Sequence, residues 1–343
     1  MAIQNAIKPT TFIPFTTLKN RVKTRVFSTK PVGYETLIVD TLNRPLSYPF
    51  IAGVLDGDGF IRTYKNTGEY EITMHLEDQP FLEQLKQQFG GYIKKVLDKN
   101  SVRLHINAKT AINGKNTLID LTNGLNGHIR NTVRAEQFKL VCNALNIEYL
   151  TPKPITLEDG YIAGLFVTDG TIYINCRPSA ATKAATKLDK PNIKIKKLLK
   201  FTDSEAVENR IQRVLKGVAP LIEIKIFNKY IVNVEQIASA FGFGNTYFEK
   251  GTPRLPALIS QGGHYFYIKK EEQVLKFVEY MALNKSSSIK YKRLGLAKEF
   301  YRLKAARAHL SSADAFERAA FEKLIRQWFL VTDSLCIKPP CEE

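Results

Sequence analysis

The sequence predicts an α+β protein with two pseudo-symmetric halves, because one series of elements occurs twice along the chain. Each copy opens with an apolar run that ends in an acidic residue and a glycine, at residues 48–61 and 160–172. Alternating apolar and polar segments, typical of strands, follow each run, and helical stretches ending in glycine follow the first strands. Each unit is therefore predicted as helix, two strands, helix, two strands and closing helices. A repeat of this length constrains the fold more than any single motif does.

Seven apolar or small residues of the run that opens the first half are enough for about two helical turns. Helix 78–89 ends before Gly90-Gly91, and glycine is common just after a helix. The predicted strands are 60–65, 70–76, 92–97 and 102–106, and the later helices are 117–125 and 134–145.

The second half repeats this order, with an insertion at 176–219 between its first two strands. The predicted strands are 171–175, 221–227, 246–250 and 264–269, and the helices are 232–241, 271–280 and 286–303. The insert holds 11 Lys and Arg against 4 Asp and Glu, a net charge of +7, and ends in a predicted helix at 203–215. It is interpreted either as a solvated loop or as an additional arm that contacts phosphates.

Charge and composition narrow the class of protein. Lys and Arg number 50 and Asp and Glu number 33, a formal net charge of +17, which favours a polyanionic partner, nucleic acid first. The hydrophobic fraction of 44% is enough for a packed core and excludes a wholly disordered chain. No run approaches the roughly 18 apolar residues of a membrane span, and we expect no membrane partner. The 4 cysteines include no CxxC pair, which argues against structural zinc.

The composition of the chain ends differs from that of the two halves. The first 34 residues contain no acidic side chain and are rich in basic and hydroxyl residues, which is typical of mitochondrial or plastid presequences. We expect residues 1–45 to be an organellar presequence, mitochondrial rather than plastid, with a basic arm on nucleic acid as the alternative. The predicted halves are 46–150 and 151–330, and 331–343 is a polar tail.

Small residues in the two apolar runs predict a tight helix–helix contact. Ala52 and Gly53 in the first run, and Ala163 and Gly164 in the second, would let two backbones approach closely. One chain would then form an internal pseudo-dimer and act as a monomer. The carboxylates of Asp58 and Asp169 would then meet at the carboxyl ends of these helices, where the helix dipole is already negative. Divalent cations between them would make the arrangement stable, and Mg²⁺ prefers such oxygen ligands.

The two runs resemble a known family signature. IAGVLDGDG at 51–59 and IAGLFVTDG at 162–170 resemble the motif that names the LAGLIDADG homing endonucleases and maturases. Segments 71–78, 126–131, 290–294 and 299–301 are similar to proteins encoded in mitochondrial group I introns. The resemblance covers residues 46–330 except the insert. It implies two αββαββα halves that form an antiparallel β saddle around two packed helices.

The resemblance also implies the site residues. Asp58 and Asp169, at the eighth motif position, would bind catalytic Mg²⁺, with Gly57 and Thr168 as further metal ligands. Basic residues would support the site, and the candidates are Lys290, Lys292 and Arg134, with Arg130 as an alternative to Arg134. Arginine is a poor proton acceptor, so the first half departs from the lysine expected there. Val167 replaces the acidic residue of the first motif, a position at which the family varies.

The strands supply an independent reason to expect duplex binding, since a two-stranded ribbon fits the major groove. The predicted nucleic-acid-binding residues lie on these strands, except for one that follows the strands of the first half. They are Arg62, Tyr64, Thr73, Lys94, Lys95, Arg103, His105, Arg130, Tyr173, Asn175, Lys225 and His264.

Two functions remain open from the sequence. The first is a site-specific, Mg²⁺-dependent endonuclease that cuts double-stranded DNA in an organelle. The alternative is a recruited RNA-binding protein, either a splicing maturase on intron RNA or a factor bound to ribosomal RNA, with cleavage reduced or lost.

Overall fold

The computed structural model describes residues 45–97, 99–177, 203–217, 219–250, 253–255, 258–259, 262–312 and 314–330. The predicted presequence up to residue 44, the greater part of the basic insert and the tail 331–343 lie outside these described residues. Within them, every helix is too short or too polar to cross a membrane.

The first half contains four helices and a four-stranded sheet. Its helices are α1 (Tyr48–Asp58), α2 (Gln79–Phe89), α3 (Lys115–Leu125) and α4 (Thr132–Leu145), and its strands are β1 (Gly59–Tyr64), β2 (Thr67–His75), β3 (Tyr92–Lys95) and β4 (Ser101–Asn107). Helix α1 begins after Ser47, whose Oγ accepts a hydrogen bond from the Phe50 amide (3.4 Å), and Pro49 occupies its first turn.

The second half repeats this plan and adds a short hairpin and a closing helix. Its helices are α5 (Tyr161–Asp169), α6 (Asp203–Leu215), α7 (Ile231–Phe241), α8 (Glu271–Leu283), α9 (Lys290–Ala305) and α10 (Phe316–Leu330). Its strands are β5 (Gly170–Arg177), β6 (Ala219–Asn228), β7 (Asn245–Glu249), β8 (Pro253–Leu255), β9 (Leu258–Ile259) and β10 (Gly263–Ile268). The helix predicted in the basic insert is confirmed as α6.

The two main sheets have the same topology, which confirms the predicted repeat. Their orders are β1-β2-β4-β3 and β5-β6-β10-β7, and all pairs are antiparallel. On each sheet, alternate residues such as Ile72, Leu104 and Ile226 are buried against helices. The opposite residues of the same strands form a second face, which carries the polar side chains predicted to bind nucleic acid.

Local chemistry explains where the observed boundaries differ from the predicted ones. Lys65 and Asn66 have φ of 48° and 58°, so they form a two-residue turn that lets β2 start at Thr67 rather than residue 70. Helix α9 starts at Lys290 rather than residue 286. Asp78 accepts hydrogen bonds from Ser288 Oγ (2.7 Å) and the Ile289 amide (3.0 Å), and these hold the preceding residues outside the helix.

Candidate active site and nucleic-acid interface

Helices α1 and α5 pack against each other with their backbones in contact. A Cβ placed on Gly53 would lie 2.1 Å from the Tyr161 carbonyl oxygen, and one placed on Gly164 would lie 1.9 Å from that of Phe50. These reciprocal contacts require glycine, because a methyl group would meet backbone atoms that cannot rotate away. Ala52 and Ala163 are fully buried, as expected for the predicted seam, but the tightest approaches belong to the glycines.

This packing brings Asp58 and Asp169 together at the carboxyl ends of the two helices. A Cβ on Gly57 would lie 2.0 Å from Thr168 Oγ1 and 3.4 Å from the carboxyl carbon of Asp169, so the last turns of the helices face each other. Asp58 remains accessible to solvent and Asp169 is half-buried. The pair is therefore shielded by protein on one side and open to a substrate on the other.

The electrostatics of the pair match its position. Desolvation raises the pKa of both carboxyls, and the negative charge of Asp58 adds to the effect at Asp169, whose pKa rises to about 7. Carboxylates that repel each other at helix carboxyl ends need a cation. Two oxygen donors that face each other and remain accessible fit a divalent metal ion, since such ions are bound by carboxylates and keep open positions for water or phosphate.

Lys290 is the basic residue that the structure places beside this pair. Its ammonium group donates to the carbonyl oxygens of Thr168 (2.7 Å) and Phe166 (3.1 Å) at the end of α5. Desolvation lowers its pKa to about 8, although Asp78, Asp58 and Asp169 act in the opposite direction. An amine with this pKa can both hold and release a proton near neutral pH.

Arg134 supplies the corresponding charge from the first half. It lies in the first turn of α4, and Asp56, Asp169 and Asp58 all stabilise its charge, although desolvation is the larger effect and lowers its pKa. Its Nη1 donates to Gln137 Oε1 (2.9 Å), which fixes the guanidinium on the helix surface. The structure therefore places one basic residue from each half, Lys290 and Arg134, near the two aspartates.

Asp56, the acidic residue of the first motif that Val167 replaces in the second, holds this arrangement in place. Its Oδ2 accepts from the Arg130 amide (2.7 Å) and from the Tyr161 hydroxyl (2.7 Å), and its carbonyl oxygen accepts from Asn131 Nδ2 (3.0 Å). Burial raises its pKa to about 6. It thus joins α5 and the loop before α4 to α1, whereas its counterpart Val167 is packed in the core.

Replacing Asp56 with alanine is expected to lower the free energy of unfolding by about 3 kcal/mol, because the buried Tyr161 hydroxyl and the partly buried Arg130 amide lose their acceptor. Urea unfolding followed by circular dichroism measures this difference. Asp120→Asn, a change at an exposed acid on α3, is the control and should leave the midpoint unchanged. Equal midpoints for Asp56→Ala and the wild type would contradict the role assigned to Asp56.

Two of the predicted basic residues lie elsewhere. Lys292 is exposed and faces a groove on the opposite side of α9, so its assignment to the catalytic centre is not supported by its position. That groove is lined by Lys292, Ala319, Glu322, Lys323, Arg326, Gln327 and Leu330. Arg130 packs over the Tyr161 ring (4.9 Å) and donates to the Lys153 carbonyl, which ties it to the helix seam rather than to a strand face.

The polar face of the first sheet carries a network of ion pairs. Arg62 pairs with Glu69 (2.6 Å), Arg103 pairs with Glu71 (3.3 Å), and the His105 Nδ1 lies 3.1 Å from Glu71 Oε1. Burial lowers the pKa of His105. Glu69 and Glu71 already have arginine partners on this face. They therefore balance the positive charges of the arginines that were predicted to bind nucleic acid. The face is lined by Phe60, Arg62, Glu69, Glu71, Thr73, Tyr92, Lys94, Arg103 and His105.

Strand alternation corrects two of the predicted contacts. Lys95 pairs with the buried Val102, so it lies on the opposite side of β3 from Lys94 and is not on the polar face. His264 shares the side of Phe266, which is buried, and its ring lies 5.0 Å from that of Phe248. Neighbouring strand residues cannot share one face, so neither residue joins the set that includes Lys94.

The polar face of the second sheet is built around Lys225. Its ammonium lies 5.4–5.5 Å from the ring centroids of Tyr173, Tyr247, Tyr265 and Tyr267. Glu223 accepts hydrogen bonds from Asn175 Nδ2 (2.9 Å) and the Tyr267 hydroxyl (2.8 Å), and also from the Tyr173 hydroxyl. Tyr247, Tyr265 and Tyr267 were not among the binding residues predicted from the sequence. The alternation of Tyr265 and Tyr267 with the buried Phe266 and Ile268 could have identified these two.

Sequence comparison finds relatives among intron-encoded proteins, and no family model matches the chain. The chain is 27% identical over 81% of its length to a probable intron-encoded endonuclease aI2 of Debaryomyces hansenii, of which it covers 37%. It is 30% identical over 74% of its length to the intron-encoded RNA maturase bI4 of Saccharomyces cerevisiae, of which it covers 32%. It is 26% identical over 81% of its length to the intron-encoded DNA endonuclease ai2b of Dictyostelium discoideum, of which it covers 88%.

The chain thus spans about a third of the length of the first two relatives. Structural comparison aligns it with the LAGLIDADG homing endonuclease I-LtrWI, solved on target DNA, with a TM-score of 0.52, 13% identity, and coverage of 84% of this chain and 98% of that one. The LAGLIDADG meganuclease I-AabMI, solved on uncleaved DNA, gives a TM-score of 0.50 and 15% identity, covering 82% and 98%. The resemblance read from the two motifs is thereby confirmed: the protein has the LAGLIDADG homing endonuclease fold, and its sequence relatives are intron-encoded endonucleases and an RNA maturase.

Proposed function

We propose that the protein is a site-specific double-strand DNA endonuclease of the LAGLIDADG type. The observation that carries the proposal is the meeting of Asp58 and Asp169 at the ends of two packed helices, with Lys290 and Arg134 beside them. Relatives named as intron-encoded endonucleases support it. The two halves, 46–150 and 151–330, would each act on one strand of a duplex, so that one chain works as a monomer.

The pair of carboxylates would hold Mg²⁺, with the backbone oxygen of Gly57 as a further ligand. The Thr168 carbonyl, the other predicted ligand, already accepts a hydrogen bond from Lys290 (2.7 Å). Bound Mg²⁺ supplies Lewis acidity toward a phosphate and lowers the pKa of a coordinated water. The side chains of the protein perform the remaining work. Lys290, with a pKa of about 8, can exchange a proton with a water or a leaving oxygen, and Arg134 stabilises charge that develops on the phosphate.

Duplex binding would use the polar faces of the two sheets. On the first sheet, Arg62, Lys94 and Arg103 lie on the same side of the strands. Arg62 and Arg103 can reach phosphates or base edges once they exchange their partners Glu69 and Glu71 for the nucleic acid. Each arginine is already oriented by a carboxylate, so less side-chain entropy is lost on binding.

The proposal is tested by selecting the target before cleavage is measured. The Asp58→Asn, Asp169→Asn double variant is used to enrich duplexes from a randomised pool, and the wild-type protein is then given the enriched sequences with Mg²⁺ or Mn²⁺. Cleavage of both strands, prevented by EDTA, is the expected result. Specific binding without cleavage under either metal would reject the nuclease and leave a binding protein.

Lys290 and Lys292 form a matched pair for testing the catalytic assignment. Lys290→Met is expected to lower the cleavage rate by about 10²- to 10⁴-fold, as for loss of a general acid or base, while Lys292→Met leaves it unchanged. Single-turnover cleavage of the selected duplex gives both rates, and thermal unfolding verifies that both variants fold. Equal rates for the two variants would show that Lys290 takes no part in the reaction.

A second function is favoured by the maturase relative, to which the chain is 30% identical over 256 residues. In this alternative the protein binds intron RNA or ribosomal RNA, with cleavage reduced or lost. Crosslinking in isolated organelles, followed by sequencing of the bound nucleic acid, separates the two. Recovery of one organellar RNA rather than a DNA site would favour the alternative.

We also propose a mitochondrial location. It is supported by the basic, acid-free composition of residues 1–34 and by relatives named as intron-encoded. Fractionation of cells that express the tagged full chain tests it, and recovery outside mitochondria would reject it.

A further inference from the structure

The polar face of the first sheet brings two carboxylates and one imidazole together. Glu69 and Glu71 lie on the same side of β2, and Glu71 is the cross-strand partner of His105 on β4. Oε1 of Glu71 lies 3.1 Å from Nδ1 of His105, and Oε1 of Glu69 lies 3.7 Å from the same nitrogen. Three potential ligand atoms, one from each residue, thus lie within 4.8 Å of one another.

The imidazole of this group is buried without a hydrogen bond of its own. His105 is 4% exposed, and neither of its ring nitrogens forms a hydrogen bond within the part of the chain that the structure describes. Tyr92 stacks on the ring, with centroids 4.8 Å apart and planes 6° from parallel, which fixes the direction in which the nitrogens point. Buried polar atoms without partners are costly, so this geometry points to a ligand for Nδ1.

The arginines of this face occupy the outer oxygens of the two carboxylates. Arg62 binds Oε2 of Glu69 (2.6 Å) and Arg103 binds Oε2 of Glu71 (3.3 Å). Besides the imidazole, the Oε1 atoms have only longer contacts among the described residues, from Asn107 Nδ2 to Glu69 (3.4 Å) and from Arg62 Nη2 to Glu71 (3.6 Å). Carboxylates that bind metals are regularly held in this way by hydrogen bonds to their other oxygen.

The spacing of the three atoms matches the coordination of a divalent transition-metal ion. Ligands about 2.0–2.2 Å from a shared ion lie roughly 3–3.5 Å apart, and the two distances from Nδ1 are close to this range. An imidazole nitrogen beside two carboxylates favours a transition metal over Mg²⁺ or Ca²⁺, which are bound by oxygen ligands.

The second sheet does not repeat this set of ligands. Counting from the glycine that follows each motif, Glu223 corresponds to Glu69, whereas Lys225 takes the place of Glu71. An ammonium group carries no lone pair and repels a cation, so the second sheet cannot hold a metal ion in the same way. Glu223 thus offers a carboxylate at a matched position for a control.

We propose that Glu69, Glu71 and His105 form a binding site for a divalent transition-metal ion on the polar face of the first sheet. This ion is distinct from the Mg²⁺ proposed for the aspartate pair. It replaces Arg62 and Arg103 as the counter-charge of the two carboxylates. Arginines that move to phosphates would otherwise leave two buried carboxylates unpaired beside a polyanion, which is costly. The ion therefore frees both arginines for a duplex; this consequence rests on the proposed function, whereas the site does not.

The site is tested by Mn²⁺ binding in the absence of nucleic acid. The parent protein is the full chain with Asp58→Asn and Asp169→Asn, which removes the competing aspartate pair. Mn²⁺ is the probe because it binds carboxylates and imidazole but competes poorly for cysteine thiolates. The electron paramagnetic resonance signal of free Mn²⁺ measures binding. One tightly bound ion per chain is expected, and Glu71→Gln or His105→Phe should weaken its binding by about 100-fold or more.

Glu223→Gln is the matched control, since it removes the corresponding carboxylate of the second sheet, and it should leave Mn²⁺ affinity unchanged. His105→Phe keeps a ring that can stack on Tyr92, and thermal unfolding verifies that each variant folds. A parent protein that binds no Mn²⁺, or equal affinities in Glu71→Gln, His105→Phe and Glu223→Gln, would overturn the proposal.

A second measurement uses the parent protein alone, so that it does not depend on how the further variants fold. Pulsed electron paramagnetic resonance of the protein with one equivalent of Mn²⁺ detects a nitrogen atom bound to the ion. Coupling to an imidazole nitrogen is expected. A bound ion that shows coupling only to water protons would overturn the assignment of His105 as a ligand.

The effect on the arginines is measured as duplex affinity of the parent protein in Mn²⁺ and in Ca²⁺ at equal concentration, with a duplex of random sequence. Ca²⁺ prefers oxygen ligands and controls for the general effect of a divalent ion on DNA. Binding about fivefold or more tighter in Mn²⁺ is expected, and Glu71→Gln should lose this difference. Equal affinity of the parent in the two ions would overturn the coupling. Cleavage by the aspartate pair is measured separately on the wild type, so the two proposals can fail independently.

Discussion

Replacing Asp58 or Asp169 with asparagine is expected to lower DNA cleavage by about 10³-fold or more while duplex binding is retained. Asparagine has nearly the same shape but no charge, so the pair loses its hold on a divalent cation. Duplex binding should persist, or become slightly tighter, because a negative charge is removed from a surface that faces phosphates. Single-turnover cleavage and filter binding on the selected duplex give the two quantities separately.

Asp120→Asn controls for the loss of one negative charge, since Asp120 is an exposed acid on α3. It should cut the duplex at the wild-type rate. Each half would act on one strand, so a single Asp variant that nicks one strand at the normal rate would show that the carboxylates work independently. Normal cutting of both strands by either variant would exclude the two aspartates as the catalytic centre.

Gly53→Ala is expected to destabilise the protein by about 3 kcal/mol or more, which is at the upper end of the effect of overpacking. The added methyl group would lie 2.1 Å from the Tyr161 carbonyl oxygen and 2.7 Å from the Leu165 amide nitrogen. Both atoms belong to the backbone of α5, so the two helices must move apart. Urea unfolding gives the change in free energy, and Gly164→Ala, the pseudo-symmetric change, should have a similar effect.

Gly295→Ala supplies the matched control, because Gly295 lies within α9 and a Cβ there would meet no atom within 4 Å. Alanine is the better helix former, so this variant should be about 0.5–1 kcal/mol more stable than the wild type. A Gly53→Ala variant as stable as Gly295→Ala would contradict the close backbone contact between α1 and α5. Cleavage should fall in Gly53→Ala under conditions where it remains folded, since Asp58 and Asp169 would separate.

The order of the elements follows from local patterns, which explains why it was predicted closely. Hydrophobic alternation identified β2 and β4, and glycine after residue 89 marked the end of α2, because each signal depends only on neighbours in the chain. The start of α9 was not predicted. It depends on Asp78, which lies more than 200 residues earlier and captures the Ser288 hydroxyl and the Ile289 amide.

The site shows the same division. The two motifs named Asp58 and Asp169 correctly as neighbours, because repeated small residues predict close helices. They did not indicate which of Lys290 and Lys292 belongs to the site. A separation of two residues places side chains on nearly opposite sides of a helix, so only one of them can face the carboxylates. Only the packing of α9 against the end of α5 determines which of the two lysines reaches the carboxylates.

The sequence by itself determined the duplicated α+β plan, the helix seam and the pair of acidic residues, because periodicity and residue size are properties of short segments. The tertiary structure alone decided how charges are partnered. It placed Asp56 under the loop before α4, paired Arg62 with Glu69, and enclosed Lys225 among four tyrosines. Those contacts join strands and helices that are distant in the chain, and electrostatic and stacking energies depend on distances in space rather than on spacing in sequence.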